Sequence, residues 1–350
     1  MKTLLMKTTT LLSLLFSATT LVAACSDSNN ESPQPPTPEP LYTEQVAVAE
    51  LPDYMVKRAD AHRAILATDG MQNGVYVYSK TATTYASAPQ RLAARIALLG
   101  FSDVYLSIQK SKVEAADPWI RTFISTFRRY GGRTWLIRLS STDLLFDHAK
   151  VADEVAVMQD YNAQVAAEER FVGISADLEP HTQKDKTKEF YWSSETNYGI
   201  GGDNDELLKR THTCLAKADE LLGSDLLNEA IFYNYQIYND SGDLSQGDVK
   251  KFLASCEQVI IMAYRNSMEK IWEKSKPTLK AAEGSPKRVS IAVKTALNGL
   301  SDESSSIGQK GWEYLLETLD YLHDEAIRYD SFRGLDQFTY EGLEKLWVMQ

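Results

Sequence analysis

The chain has only three cysteines in 350 residues, too few for a disulfide framework. Cys25 lies near the start. Cys214 and Cys256 sit in apolar, helix-like stretches where buried thiols are the default, although two cysteines in an oxidising compartment could also bridge. The five histidines are scattered, and no Cys/His spacing resembles a zinc site, so no metal or cofactor is expected. Positive charge is also scarce. With 37 Lys and Arg against 48 Asp and Glu, the formal charge is -11, which argues against a nucleic-acid or anionic-lipid partner. The apolar stretch from Leu11 to Val22 is too short to span a bilayer.

The same stretch has another use. Lys2 and Lys7 give it a basic start, and it ends in Leu21-Val22-Ala23-Ala24-Cys25, the layout of a secretory signal. It resembles a bacterial lipoprotein signal with its lipobox at Val22 to Cys25. The resemblance implies that residues 1–24 are removed and that Cys25 is lipidated, anchoring the protein to a membrane without a spanning helix. Residues 25–40 follow as a tether. Five of the eleven prolines fall between Ser26 and Pro40, and so apolar-poor a segment stays extended. Its start, SDSNNES, resembles the surface-export tag of Bacteroidetes lipoproteins. The expected location is the cell envelope, lipid-anchored at the outer membrane; the export-tag resemblance points to the surface, and the sequence leaves the leaflet open.

Residues 41–350 form one domain by length, about 300 residues. Strand-like and helix-like patterns alternate eight times. The predicted strands are Gly74 to Ser79, Asp103 to Gln109, Thr134 to Ser140, Phe171 to Glu179, Glu229 to Gln236, Gln258 to Tyr264, Arg288 to Thr295 and Phe332 to Tyr340. Their β-branched and aromatic content suits strands buried on both faces. Between them, a helix capped by Ser87 and Gln90 stops at Gly100, another opens on Asp117-Pro118 and closes at Gly131, and a third carries Val151, Val155, Met158 and Val165 on one face. Eight units of about 33 residues predict an α/β fold, a (β/α)8 TIM barrel. The competing doubly wound sheet would want a glycine-rich phosphate loop after its first strand, and Tyr78 to Thr83 offers none. Leu41 to Asn73 is expected to pack as a helix across the barrel bottom.

In such barrels chemistry sits where strands end. The fourth strand ends FVGISADLEPH, placing Asp177 and Glu179 two positions apart and so on one face. Pro180 has no N–H for the ladder and holds Glu179 extended. Paired carboxylates at a barrel rim are what glycosidic hydrolysis uses, although a salt-bridged strand end would read the same way. The other predicted rim groups are Gln109, Arg138, Asn234, Gln236, Tyr264, Arg265, Lys294, Gln337 and Tyr340, all candidates to contact a carbohydrate. Arg138 is expected to point into the barrel, because an arginine facing the helices would need its own partner. After strand four, His181 to Asp205 carries Phe190, Tyr191, Trp192 and Tyr198, either as a sugar-stacking wall with Trp192 as its platform or as loop packing.

ADLEP on strand four and Met262-Ala263-Tyr264 on strand six resemble the family 18 chitinase and endo-N-acetylglucosaminidase barrels, over roughly residues 74 to 345. The resemblance implies Glu179 as general acid/base, Asp177 orienting a substrate acetamide whose oxygen is the nucleophile, and Tyr264 holding that acetamide. It is incomplete. Ser175 and Val172 stand where the family has acids, Arg265 follows the tyrosine, and Gly334 to Tyr340 lacks the inward tryptophan. A two-carboxylate mechanism would want a glutamate at the tip of strand seven, where Lys294 stands, unless Asp336 or Glu341 served. If Lys294 or another cation contacted Glu179, the acid would stay ionised. The sequence therefore predicts a lipid-anchored glycoside hydrolase, with a non-catalytic glycan-binding barrel as the alternative, and leaves oligomeric state open.

Overall fold

The structure is a computed structural model and describes residues 71–194, 202–296 and 303–348. The signal-like segment, Cys25, the proline-rich tether, nearly all of the extension before the first strand, and Tyr198 lie outside the described residues.

Eight parallel strands close into a barrel in sequence order. They are β1 (Gly74–Tyr78), β2 (Asp103–Ser107), β3 (Arg133–Arg138), β4 (Gly173–Ala176), β5 (Leu226–Phe232), β6 (Gln258–Met262), β7 (Val289–Lys294) and β8 (Phe332–Phe338). Closure of β8 onto β1 excludes the open doubly wound sheet. Strand alternation sorts the side chains into two cores. Tyr76, Tyr105, Trp135, Ala230, Ile260, Met262 and Ala292 fill the barrel interior. Val75, Val104, Leu136, Ile174, Ala176, Ile231 and Val293 face the surrounding helices.

The helices form where the sequence pattern places them, with one difference in capping. Pro118–Arg129 is capped by Asp117, whose side chain accepts from the Trp119 N–H at 2.8 Å, and Gly131 ends it with a left-handed φ of 81°. The helix Pro89–Leu98 starts on its proline with no side-chain cap, so Ser87 and Gln90 form no capping box. Lys150–Gln164 buries Val151, Val155 and Met158.

Several strands stop earlier than predicted. β4 ends at Ala176 and gives way to a 3-10 turn at Pro180–Thr182. β5 ends at Phe232, and Asn234 and Gln236 lie on the helix Asn234–Asp240. β8 ends at Phe338, and Tyr340 opens the helix Tyr340–Val348. At the opposite end of the barrel, Asp103 is buried between Arg133 at 2.9 Å and Arg333 at 3.1 Å, next to a cavity of about 480 Å³. That cavity lies at the strands' amino ends, away from the acid pair. Among the described residues no helix is long and apolar enough to cross a membrane, and no cluster of His, Cys, Asp and Glu could hold a metal ion.

Candidate active site

The parity of β4 decides which way its acids point. Ile174, Ala176 and Leu178 join the outer core, so Ser175, Asp177 and Glu179 face the barrel axis. Gly173 starts this face, and a Cβ there would overlap the backbone oxygen of Leu226 on β5. Beyond the strand's end the backbone is tied on both sides. Asp177 N–H donates to the Leu139 carbonyl at 3.3 Å, and Leu178 N–H donates to Glu229 Oε1 at 3.0 Å. The Glu179 carbonyl then accepts from the Thr182 N–H at 2.8 Å and the Thr182 hydroxyl at 2.7 Å.

Both acids hold protons unusually well. Burial pushes Asp177 up to about 6, because a carboxylate without water is disfavoured. Glu179 rises to about 7, by burial first and then by the neighbouring charge of Asp177. No cation contributes to either shift, and among the described residues no ion pair joins Lys294 or Arg265 to these carboxyls. Lys294 lies over the Tyr264 ring, 5.9 Å from its centroid. Arg265 lies over the Tyr233 ring at 4.4 Å and donates to the Tyr264 carbonyl at 2.9 Å. Glu179 keeps about a third of its side chain exposed, 34%, so its proton can reach a bound molecule. Asp177 Oδ1 is buried and has no hydrogen-bond partner among the described residues.

An aromatic floor surrounds the pair. Phe338, at the inward tip of β8, meets Tyr76 at 5.4 Å, Tyr78 at 5.7 Å and Tyr264 at 5.4 Å between ring centroids. Tyr264 lies two residues past β6, its hydroxyl kept protonated by burial first and then by Asp177. Tyr78 lines a cavity of about 220 Å³ together with Phe338, Thr339 and Glu341. On the other side, His181 Nε2 lies 3.6 Å from Glu179 Oε1.

Two alternative acids are spoken for. Asp336 is buried inside the barrel, accepting from Gly74 N–H and the Ser290 hydroxyl, each at 2.5 Å. Glu341 pairs with Lys80 at 2.8 Å and Lys345 at 3.1 Å, and the Lys80 bond holds it below the usual glutamate range. Neither can serve as a nucleophile at the mouth.

The structure separates the predicted rim residues. Asp177, Glu179, Tyr264 and Lys294 come together, and Arg265 lies alongside. Gln109 is exposed where the helix Lys110–Glu114 begins. Arg138 does not point into the barrel: its parity matches Leu136, not the inward Trp135 and Ile137, and it pairs with Glu154 on the helix Lys150–Gln164. The partner that an outward arginine requires is thus present. Gln337 shares the outward face of Leu335 between the inward Asp336 and Phe338, and Tyr340 is fully buried in the outer core. Gln236 is buried, donating to Asp240 at 2.7 Å and accepting from the Val249 N–H at 2.9 Å. Asn234 donates to the Tyr238 hydroxyl at 3.1 Å. Trp192 is only 4% exposed and packs on Tyr235 at 5.8 Å, so it offers no sugar platform. Cys214 and Cys256 are buried free thiols. The sequence reading missed Tyr78, Phe338, His181, Tyr235 and Glu229, of which only His181, beside the acid motif, carried a local signal.

No family model and no curated protein sequence matches the chain. Solved structures do resemble it. A GH18 chitinase from Pseudoalteromonas aurantia superposes with a TM-score of 0.53 at 14% identity, covering 79% of this chain and 97% of that one. The PgaB glycoside hydrolase domain from Bordetella bronchiseptica gives 0.48 at 12% identity, over 79% and 96%. A chitinase from Chromobacterium violaceum gives 0.47 at 13%, over 80% and 99%. The likeness to the first of these agrees with the (β/α)8 fold of the chain.

Proposed function

We propose that this protein hydrolyses glycosidic bonds in a polysaccharide or glycoprotein glycan, with Glu179 as general acid/base. The observation that carries this reading is the placement of Glu179, an inward-facing carboxyl at the end of β4 with 34% of its side chain exposed, beside the buried Asp177, where burial and then Asp177 raise its pKa to about 7. A general acid is most useful with a pKa near working pH. Glu179 donates its proton to the leaving oxygen. Lys294, and not a carboxylate, stands at the tip of β7, which favours substrate assistance, in which the acetamide oxygen of an N-acetylated sugar attacks the anomeric carbon. Asp177 Oδ1, buried without a donor, accepts the acetamide N–H, and Tyr264 closes the other side of the pocket. Water then opens the intermediate as Glu179 takes a proton back.

The reading includes the envelope location, with the barrel tethered through lipidated Cys25. Labelling with a radioactive fatty acid that is lost in Cys25→Ala supports the anchor. For the chemistry, the protein incubated with chitin oligosaccharides and N-glycans should release reducing ends, and Glu179→Gln should lower the rate at least about a hundredfold. Glycan binding without turnover would assign the barrel to recognition instead.

A further inference from the structure

We propose that His181 is a positioning residue for Glu179, an imidazole clamped in one orientation and one tautomer by Tyr235 and Phe232 so that its Nε2–H faces the acid. The inference rests on the reading of Glu179 as acid/base and assigns a group that steadies its orientation and moderates its proton affinity.

The clamp is built from three sides. The His181 ring stacks on Phe232, with centroids 4.4 Å apart and planes at 13°. Trp192 meets it edge-on at 6.3 Å, and Tyr235 meets it edge-on at 5.8 Å. Trp192 is seated by its N–H on the Gln183 carbonyl at 2.6 Å. The long loop after β4 thus folds back to wall in the histidine. Its aromatic content, which suggested a sugar platform, serves the acid from behind.

The tautomer follows from burial. Tyr235 is fully buried, and its hydroxyl lies 2.8 Å from His181 Nδ1. A buried O–H needs an acceptor, and among the described residues Nδ1 is the one in reach. With Nδ1 accepting, the ring proton of the uncharged imidazole sits on Nε2, which lies 3.6 Å from Glu179 Oε1. That separation is just outside hydrogen-bond distance. Burial, and then the Lys184 charge, depress His181 to about 4, so the ring stays uncharged where Glu179 titrates. An N–H aimed at the carboxylate steadies its ionised form, offsetting part of what burial and Asp177 do. Asp177 next to it, Tyr78 at the end of β1, Tyr235 and Tyr264 also lie near Glu179, and Glu229 lies near it from the outer face of β5. His181 is the group among them that presents an imidazole N–H.

The test uses the full chain in detergent with glutamate δ-carboxyl ¹³C labels, the Glu179 signal being assigned by its loss in Glu179→Gln. His181→Phe keeps the stack and removes the N–H, and should raise the Glu179 midpoint by about half a unit or more. Tyr235→Phe removes one oxygen, frees the tautomer, and should move the midpoint in the same direction. Midpoints unchanged within about 0.2 units in both variants overturn the proposal. If His181→Phe does not fold, ¹⁵N spectra of the unsubstituted protein decide: a single Nε2–H form of His181 supports the clamp, and an Nδ1–H form or a mixture overturns it. No substrate enters these measurements, so their outcome is independent of whether hydrolysis is found. Where turnover is measured, Tyr235→Phe should lower kcat and shift its pH profile with KM unchanged.

Discussion

The backbone N–H of Leu178, between the two rim acids, donates to Glu229 Oε1 across 3.0 Å. Glu229 is 0% exposed and its Oε2 has no hydrogen-bond partner among the described residues. Burial first, then Asp177, raise its pKa well above the usual glutamate range. A buried and protonated carboxyl on the outer face of β5 therefore fixes the backbone that carries the acid pair. Glu229→Gln keeps the acceptor and should be close to neutral in stability. Glu229→Ala leaves the Leu178 N–H unsatisfied beside a cavity and should cost about 2–4 kcal/mol in urea unfolding. Equal stability of the two variants would show that the bond carries nothing.

The raised acids make a prediction about pH and stability. Asp177 at about 6, Glu179 at about 7 and Asp336 at about 6 all bind protons more tightly folded than unfolded. Their contribution is fully present below the unfolded values, near 4, and is lost as pH rises through the folded values. Stability from these groups therefore falls between about pH 4 and pH 7. Asp177→Asn removes one of them and should stabilise the protein by about 1–3 kcal/mol at pH 7.5 with little gain at pH 4. Chemical denaturation at the two pH values checks this, and a gain of equal size at both would reject it.

Arg138 tests the side-chain direction assigned to β3. Its partner is Glu154 in the helix layer, and its side chain is only 15% exposed. Arg138→Ala should leave glycan binding and turnover unchanged and lower stability by about 1–3 kcal/mol through the stranded Glu154 and lost packing. A rise in KM without a stability change would return Arg138 to the mouth.

How much of this was legible in sequence differs from element to element. The eight strands were readable because each is a short β-rich run, and β2 and β3 are set apart by the helix signals at Asp117-Pro118 and Gly131. That Asp177 and Glu179 share a face was readable because both directly continue the fourth strand and period two is local. Arg138 and Gln337 were misplaced for a related reason. Parallel strands are apolar on both faces, so TWLIRLS and FRGLDQF do not announce which face is inward. Strand ends were overextended at Asn234, Gln236 and Tyr340, since a strand's end depends on where neighbouring strands stop pairing.

By itself the sequence determined the alternation of units, the acid pair at the end of the fourth strand, and the shortage of basic charge, all consequences of local spacing and composition. The closed barrel decided the rest. It brought Tyr235 to His181 across 54 positions and Glu229 to Leu178 across 51, and it buried Trp192 behind the acid. Burial is a property of everything packed around a group, so the largest cause of Glu179's raised proton affinity belongs to the fold, with its chain neighbour Asp177 adding to it.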